Sequence, residues 1–198
     1  MRLCVLGGHG KTGKRVVDAA RLMGHDVRVL EGDALDAAAL SHCIHGAEAV
    51  ISVLGPVSGS APDFCSRSTE RVIEVMRTEG VKRLVMVTGA MCGPREELGL
   101  LYRSMLRIPS LSRVIADRAQ SERLVMVSDL DWTLVRPPRL NDDEPTTPPV
   151  LSSHGLVTML STCARVHLAQ VLLSLATGGT HVREGVYVRS GGHLAVAA

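Results

Sequence analysis

The 198-residue sequence predicts an α/β fold: a doubly wound parallel sheet with helices on both faces. Three observations predict it. The chain opens with a short apolar run that stops at glycines and passes straight into a helical pattern. Short runs rich in Val, Leu and Ile then alternate with segments of 3.6-residue periodicity. Glycine or Gly-Pro closes most of these units, and the alternation argues right-handed crossovers between parallel strands.

The elements follow in order. Residues 1–6 read as a buried parallel strand. Residues 14–23 place Val16, Val17, Ala20 and Met23 on one helical face, and Gly24 stops them. Residues 26–30 alternate as a second strand. Residues 36–45 are helical, with Asp36 as the cap, Leu40 and Ile44 inward, and Gly46 at the end. Residues 49–54 form a strand closed by Gly55-Pro56, and a Gly-Ser-Pro loop covers 57–62. Residues 66–78 form a helix with Val72, Ile73, Val75 and Met76 inward, and residues 83–87 form a strand. An irregular stretch is expected over 91–112, a helix over 113–127 and a strand over 132–135. A polar, proline-rich loop spans 137–149, a helix 167–176 and a last strand 185–189.

Length and patterning fit one domain over residues 1–198, without a linker or internal repeat. The 22 basic and 20 acidic residues nearly balance, which gives no electrostatic case for nucleic acid as a partner. Aromatics make up only 2%, too few for base-stacking platforms, so the core must be aliphatic. Cys4, Cys43, Cys65, Cys92 and Cys163 are odd in number and show no CxxC, which argues against disulfides or a zinc site. Cys4 reads as a small buried hydrophobe. The glycines interrupt the N-terminal apolar run before a signal peptide can form, and no run approaches the roughly 18 residues of a membrane span. A cytoplasmic location and no membrane partner are expected.

Gly7, Gly10 and Gly13 form G-x-x-G-x-x-G between the first strand and helix. The first glycine permits the tight exit from the strand. The second lets backbone approach a pyrophosphate, and the third lets helix pack on strand. The helix N-terminus then offers free N–H groups and a partial positive charge to the phosphates. Lys11 and Thr12 add a cation and a hydroxyl, and His9, inside the loop, is a candidate contact to the bound ligand or else a solvent-facing turn residue. The pattern carries weight here because it follows a strand and opens a helix. No GK[ST] ends the loop, so it is not a P-loop.

GGHGKTG, EGDALD, AVISVLG, VKRLVMVTGA and LDWTLVRPPRL then occur in one order. On these motifs the chain resembles the NAD(P)H-binding, atypical short-chain dehydrogenase/reductase family, of the flavin reductase and biliverdin reductase B type, over about residues 1–190. The resemblance implies a Rossmann fold that binds NADP and reduces flavins, quinone-like compounds or tetrapyrroles. It implies that Gly7, Gly10, Lys11, Thr12 and Gly13 hold the pyrophosphate, and that Asp33 and Ala34 contact adenine. Leu54 and Gly55 would lie under the adenosine ribose and Thr88 and Gly89 near the nicotinamide. Pro138, Arg139 and Leu140 would close over that end.

Three departures stand out. VRVL runs directly into EGD, which leaves no room for the family's crossover of a dozen or more residues between its second and third strands. The sheet is therefore expected to be shortened by a deletion there, with two strands merged over residues 26–33. The arginine that would grip the 2′-phosphate of NADP is missing, which leaves NAD as the other cofactor; Arg28 could replace it only by pointing to the ligand edge. Gly89 stands where relatives often carry Ser. No YxxxK occurs, since Leu106 follows four residues after Tyr102, and Arg118 stands where relatives often show His. Guanidinium is a poor proton donor.

Thr88, Gly89 and Arg118 are therefore weak catalytic candidates, and the proton would come from water. The expected activity is hydride transfer from NADPH or NADH to a flat conjugated small molecule. The alternatives are a non-catalytic NAD(P)-binding regulator and a cofactor-independent isomerase or cyclase. The eight histidines form no ligand motif, His42 and His45 reading as exposed helix residues, so no metal is expected. Asp142, Asp143 and Glu144 read as a solvated loop and Trp132 as a core anchor. Arg136 reads equally as an ion-pair partner or a substrate ligand. Arg103, Arg107 and Arg113 flank either a substrate lid or a plain loop. No GxSxG elbow supports hydrolysis. A monomer is expected, or a homodimer if an exposed sheet edge is covered.

Overall fold

The described chain holds nine strands and six α-helices, alternating strictly only as far as β4. The structure is a computed structural model, and it describes residues 1–154, 157–158 and 160–191. The strands are β1 (Arg2–Leu6), β2 (Asp26–Val29), β3 (Ala49–Ser52), β4 (Arg83–Val87), β5 (Asp131–Arg136), β6 (Arg139–Asn141), β7 (Pro149–Ser152), β8 (Thr162–Ala164) and β9 (Glu184–Ser190). The helices are α1 (Lys11–Leu22), α2 (Ala37–Ile44), α3 (Phe64–Thr78), α4 (Leu100–Met105), α5 (Pro109–Met126) and α6 (Arg165–Gly178). Seven strands form the main sheet in the order β2-β1-β3-β4-β5-β9-β7, and all pair in parallel except β7 with β9. A separate parallel pair joins β6 to β8.

The sheet is doubly wound. Leu3 and Val5 of β1 point to one face and pack with Val16, Val17 and Ala20 of α1 and Leu168 and Leu172 of α6. Cys4 and Leu6 point to the other, against Leu40 and Ile44 of α2, Val72 and Met76 of α3 and Val125 of α5. Burial on both faces explains why β1 reads as an unbroken apolar run. Trp132 anchors the second layer as expected, and the Asp36 carboxylate caps α2 by accepting from the N–H of Ala38 at 2.8 Å and of Ala39 at 3.4 Å.

Several expectations need correction. The second strand does not run on to residue 33: β2 ends at Val29, and Gly32 at φ +101 turns the chain into α2. Such a φ suits glycine and breaks the pleat. β2 and β3 flank β1, so the chain crosses over β1 through α2 and β2 becomes the sheet edge. The stretch 91–112 is not irregular throughout: it holds 3-10 turns at Ala90–Cys92 and Arg95–Glu97, all of α4 and the first turn of α5. Here tertiary contact overrode weak local signals, since Ala90, Leu98, Tyr102, Val157 and Tyr187 form a third buried cluster. The proline-rich loop contains β6 and ends in β7, and the sheet is mixed because β7 returns antiparallel onto β9. Among the described residues, no helix is long and apolar enough to cross a membrane.

Candidate functional site

Strand order reverses at β1, so the crevice of this sheet opens between the carboxyl ends of β1 and β3. The glycine loop follows β1 directly. Gly7 has φ +82, and a Cβ there would lie 3.0 Å from the Val53 carbonyl oxygen. A Cβ at Gly13 would lie 2.1 Å from the Gly7 oxygen and 2.6 Å from the Gly8 Cα, so the fold itself requires both glycines. Gly10 differs. Its φ of −74 and ψ of 168 are open to any residue, and a Cβ would meet only the Gly7 oxygen, at 3.4 Å. Nothing in the folded chain demands glycine at that position.

The N-terminus of α1 has neither a capping side chain nor an acidic residue in its first turn. The next two helices differ: Asp36 caps α2, and the first turn of α3 gives the N–H of Cys65 (2.8 Å) and Ser66 (3.0 Å) to Asp117 of α5. Thus α1 presents its partial positive charge and its first amides without an internal anion. Lys11 is exposed and Thr12 half-buried beside it.

At the end of β2, Glu31 is exposed and pairs with His9 Nε2 at 3.1 Å, which ties the glycine loop to the sheet edge. Sequence reasoning missed Glu31, although an acid about 20 residues beyond the glycine turn is the residue type that binds a ribose diol. Asp33 is exposed and accepts from the Leu35 N–H at 2.9 Å, whereas Ala34 is packed into the core. Arg28 donates to the carbonyls of His42 (3.3 Å) and His45 (3.0 Å) at the far end of α2, away from the ligand edge.

The other half of the edge is built from side chains. Glu122 of α5 and Arg136 of β5 form a buried two-pronged ion pair, with Nε to Oε1 at 3.0 Å and Nη2 to Oε2 at 2.7 Å. The Thr88 hydroxyl donates to Glu122 at 2.6 Å and so is committed to this network. Arg136 thus serves as an ion-pair partner. Arg118 donates to the Thr88 carbonyl, and its Nη2 lies 3.1 Å from where a Cβ on Gly55 would stand. Gly89 has φ +140, a conformation that suits glycine and not serine, and open space surrounds it within 4 Å. A small pocket between the ends of β3 and β4 is lined by Ser52, Leu54, Thr88, Arg118 and Ser121. Burial pushes the Cys65 thiol up to about 11 and the Cys92 thiol up to about 12.

The candidates therefore divide. Gly7, His9, Gly10, Lys11, Thr12 and Gly13 gather at the end of β1 with Glu31. Leu54, Gly55, Thr88, Gly89 and Arg118 gather at the ends of β3 and β4. Pro138 is buried, Arg139 exposed and Leu140 half-buried as the chain leaves β5 into β6. Asp142 is an ion-pair residue rather than a free loop acid, at 2.9 Å from Arg165 and 3.9 Å from Arg15. Arg103 donates to the carbonyls of Leu98 (2.8 Å) and Glu96 (3.1 Å), so it braces the segment around α4. Among the described residues no group of three or more His, Cys, Asp or Glu could hold a metal; His193 lies outside them. Glu122 and Asp117 were also missed. The spacing of Arg118 and Glu122, one helical turn apart, would have paired the wrong residues, since Glu122 turns to Arg136.

Comparison with known proteins agrees with this fold. The model of an NAD(P)H-binding family matches residues 22–178. Among solved structures, the oxidoreductase ylbE from Lactococcus lactis superposes with a TM-score of 0.81 at 14% identity, covering 98% of this chain and 93% of that one. ChuY, an anaerobillin reductase from Escherichia coli O157:H7, superposes with a TM-score of 0.79 at 19% identity, covering 98% of each chain. A short-chain dehydrogenase/reductase from Veillonella parvula DSM 2008, solved in complex with NADP, gives a TM-score of 0.76 at 16% identity, with coverage of 96% and 95%. The chain belongs to the NAD(P)H-binding family whose model matches it over residues 22–178.

Proposed function

We propose that this protein is an NADH-dependent reductase of a flat, conjugated acceptor such as a flavin, quinone or tetrapyrrole. The observation that carries the reading is the uncapped N-terminus of α1 beside Gly10, a glycine that the fold does not need and a pyrophosphate would. Gly7, Gly10, Lys11, Thr12 and Gly13 would hold the phosphates, and Leu54 and Gly55 would underlie the adenosine ribose. A bound nicotinamide supplies the hydride, and the chain contributes orientation and exclusion of water. The Thr88 hydroxyl is held by Glu122, so the described residues near Gly89 offer no obvious proton donor. That favours acceptors that take their proton from water.

Two observations favour NADH over NADPH. Glu31 stands at the end of β2, where a carboxylate accepts from a ribose 2′-hydroxyl and repels a 2′-phosphate. Arg28, the nearest substitute for the missing phosphate-gripping arginine, is turned away to the end of α2. The short passage from β2 into α2 fits a chain that has lost one crossover relative to its family. Asp33 would remain near the adenine.

Titration with NADH and NADPH, followed by nicotinamide fluorescence, tests the reading. NADH is expected to bind in the micromolar range and NADPH about tenfold more weakly, ~1.4 kcal/mol. Glu31→Arg should reverse that order. Absence of binding of either nucleotide up to about 1 mM, weaker than about −4.1 kcal/mol, would overturn the reductase. Binding without reduction of a flavin or quinone would point instead to a nucleotide-sensing regulator.

A further inference from the structure

Arg118 is a half-buried cation with no carboxylate partner among the described residues, and it stands at the centre of the ligand edge. The acids around it are engaged elsewhere. Asp117 accepts from the N–H groups of Cys65 and Ser66 and from the Ser66 hydroxyl at 2.5 Å. Glu122 is held by Thr88 and by both prongs of Arg136. The hydrogen bond Arg118 makes is from Nη1 to the neutral carbonyl of Thr88, while Nη2 rests against Gly55. A guanidinium carries five N–H donors and a full charge, and partial burial without an anion is costly.

The position decides what that anion is. A dinucleotide's pyrophosphate is drawn to the α1 N-terminus, beyond the end of β1. Arg118 lies past β3, between Gly55 and Thr88, and next to the open space around Gly89. With no acid among the described residues to neutralise it, its charge can be taken by a second ligand.

We propose that Arg118 is the receptor for an oxyanion, a phosphate or carboxylate, carried by the acceptor, and that it selects charged acceptors over neutral ones with the same ring. Calling that ligand an acceptor rests on the reductase reading; the binding itself does not. Guanidinium matches such oxyanions with two parallel hydrogen bonds.

FMN and riboflavin share one isoalloxazine ring and differ by a phosphate. Their affinities are measured by flavin fluorescence quenching, with excess NAD⁺ present so that no turnover occurs. The protein is expected to bind FMN about tenfold more tightly than riboflavin, a preference that falls as salt rises. Arg118→Gln should bring the ratio close to one, and Arg118→Lys should keep most of it. Equal affinities in the unaltered protein would overturn the proposal without need of any variant. So would an Arg118→Gln protein that weakens both flavins equally, because a brace on Thr88 would act that way. A variant that loses nucleotide affinity and keeps the flavin ratio would assign the charge to the cofactor instead. If neither nucleotide binds while the flavin ratio and its loss in Arg118→Gln both hold, the reductase reading fails and the anion site stands.

Discussion

The two halves of the ligand edge are built by different means. At the ends of β1 and β2 the chain presents backbone: a glycine loop, an uncapped helix and one exposed His9–Glu31 pair. At the ends of β3, β4 and β5 it presents a network in which Asp117, Glu122, Thr88, Arg136 and Arg118 hold several elements together. A backbone cradle suits a ligand whose shape never changes, such as a pyrophosphate. A side-chain network can be altered residue by residue, and there relatives on one scaffold can diverge in substrate. Gly89 and Arg118, where the resemblance leads one to expect serine and histidine, lie in that second half.

The comparison breaks most visibly at Glu122. Replacing it with Ala leaves Arg136 buried beside no counter-charge, which costs about 3–5 kcal/mol. Urea unfolding should show that loss, and a change below about 1 kcal/mol would mean that the network does not hold the acceptor half together. Gly13→Ala should cost about 1–3 kcal/mol by overpacking, because its Cβ would strike backbone that cannot give. Gly10→Ala sharpens the contrast. It should leave the melting temperature nearly unchanged yet weaken NADH binding about tenfold, ~1.4 kcal/mol. Equal stability losses for the two alanines would erase the distinction between a glycine kept for the fold and one kept for a ligand.

The smallest effect concerns pH. The folded chain holds the Cys65 and Cys92 protons more tightly than a free thiol with its ordinary value of 9.0, since burial lifts the two to about 11 and about 12. The stability linked to them is fully present below pH 9 and is lost as pH rises from 9 through 11 to 12. The urea midpoint should therefore fall over that range, and less steeply in Cys92→Ala. An identical slope in the variant would show that this thiol does not feel the burial. Both thiols should also react slowly with alkylating reagents at alkaline pH below 9.

The first half of the site is legible in the sequence because its signals are local. Three glycines at fixed spacing, a strand before them and a helix after them lie within one short stretch of chain, as does the Asp36 cap. Glu31 is legible by the same rule, although the resemblance points to a missing arginine rather than to this acid. The second half is not legible. Asp117 and Cys65 lie 52 positions apart, and Thr88 and Glu122 lie 34 apart, so no periodicity joins them. The segment from Met91 to Ser112 hides its structure for the same reason: its turns and α4 are held by Leu98, Tyr102 and Val157, contacts made across the fold.

By itself, then, the sequence determined the α/β alternation, the doubly apolar central strands and the glycine turn after β1. Each follows from backbone sterics and from burial patterns that repeat within a few residues. Only the tertiary structure decided that β2 is an edge, that Arg28 turns away while Glu31 faces the glycine loop, and that Arg118 is left without an acid among the described residues. Those outcomes depend on which distant groups reach each charge first, and a buried charge takes whatever partner the packing brings within hydrogen-bond distance.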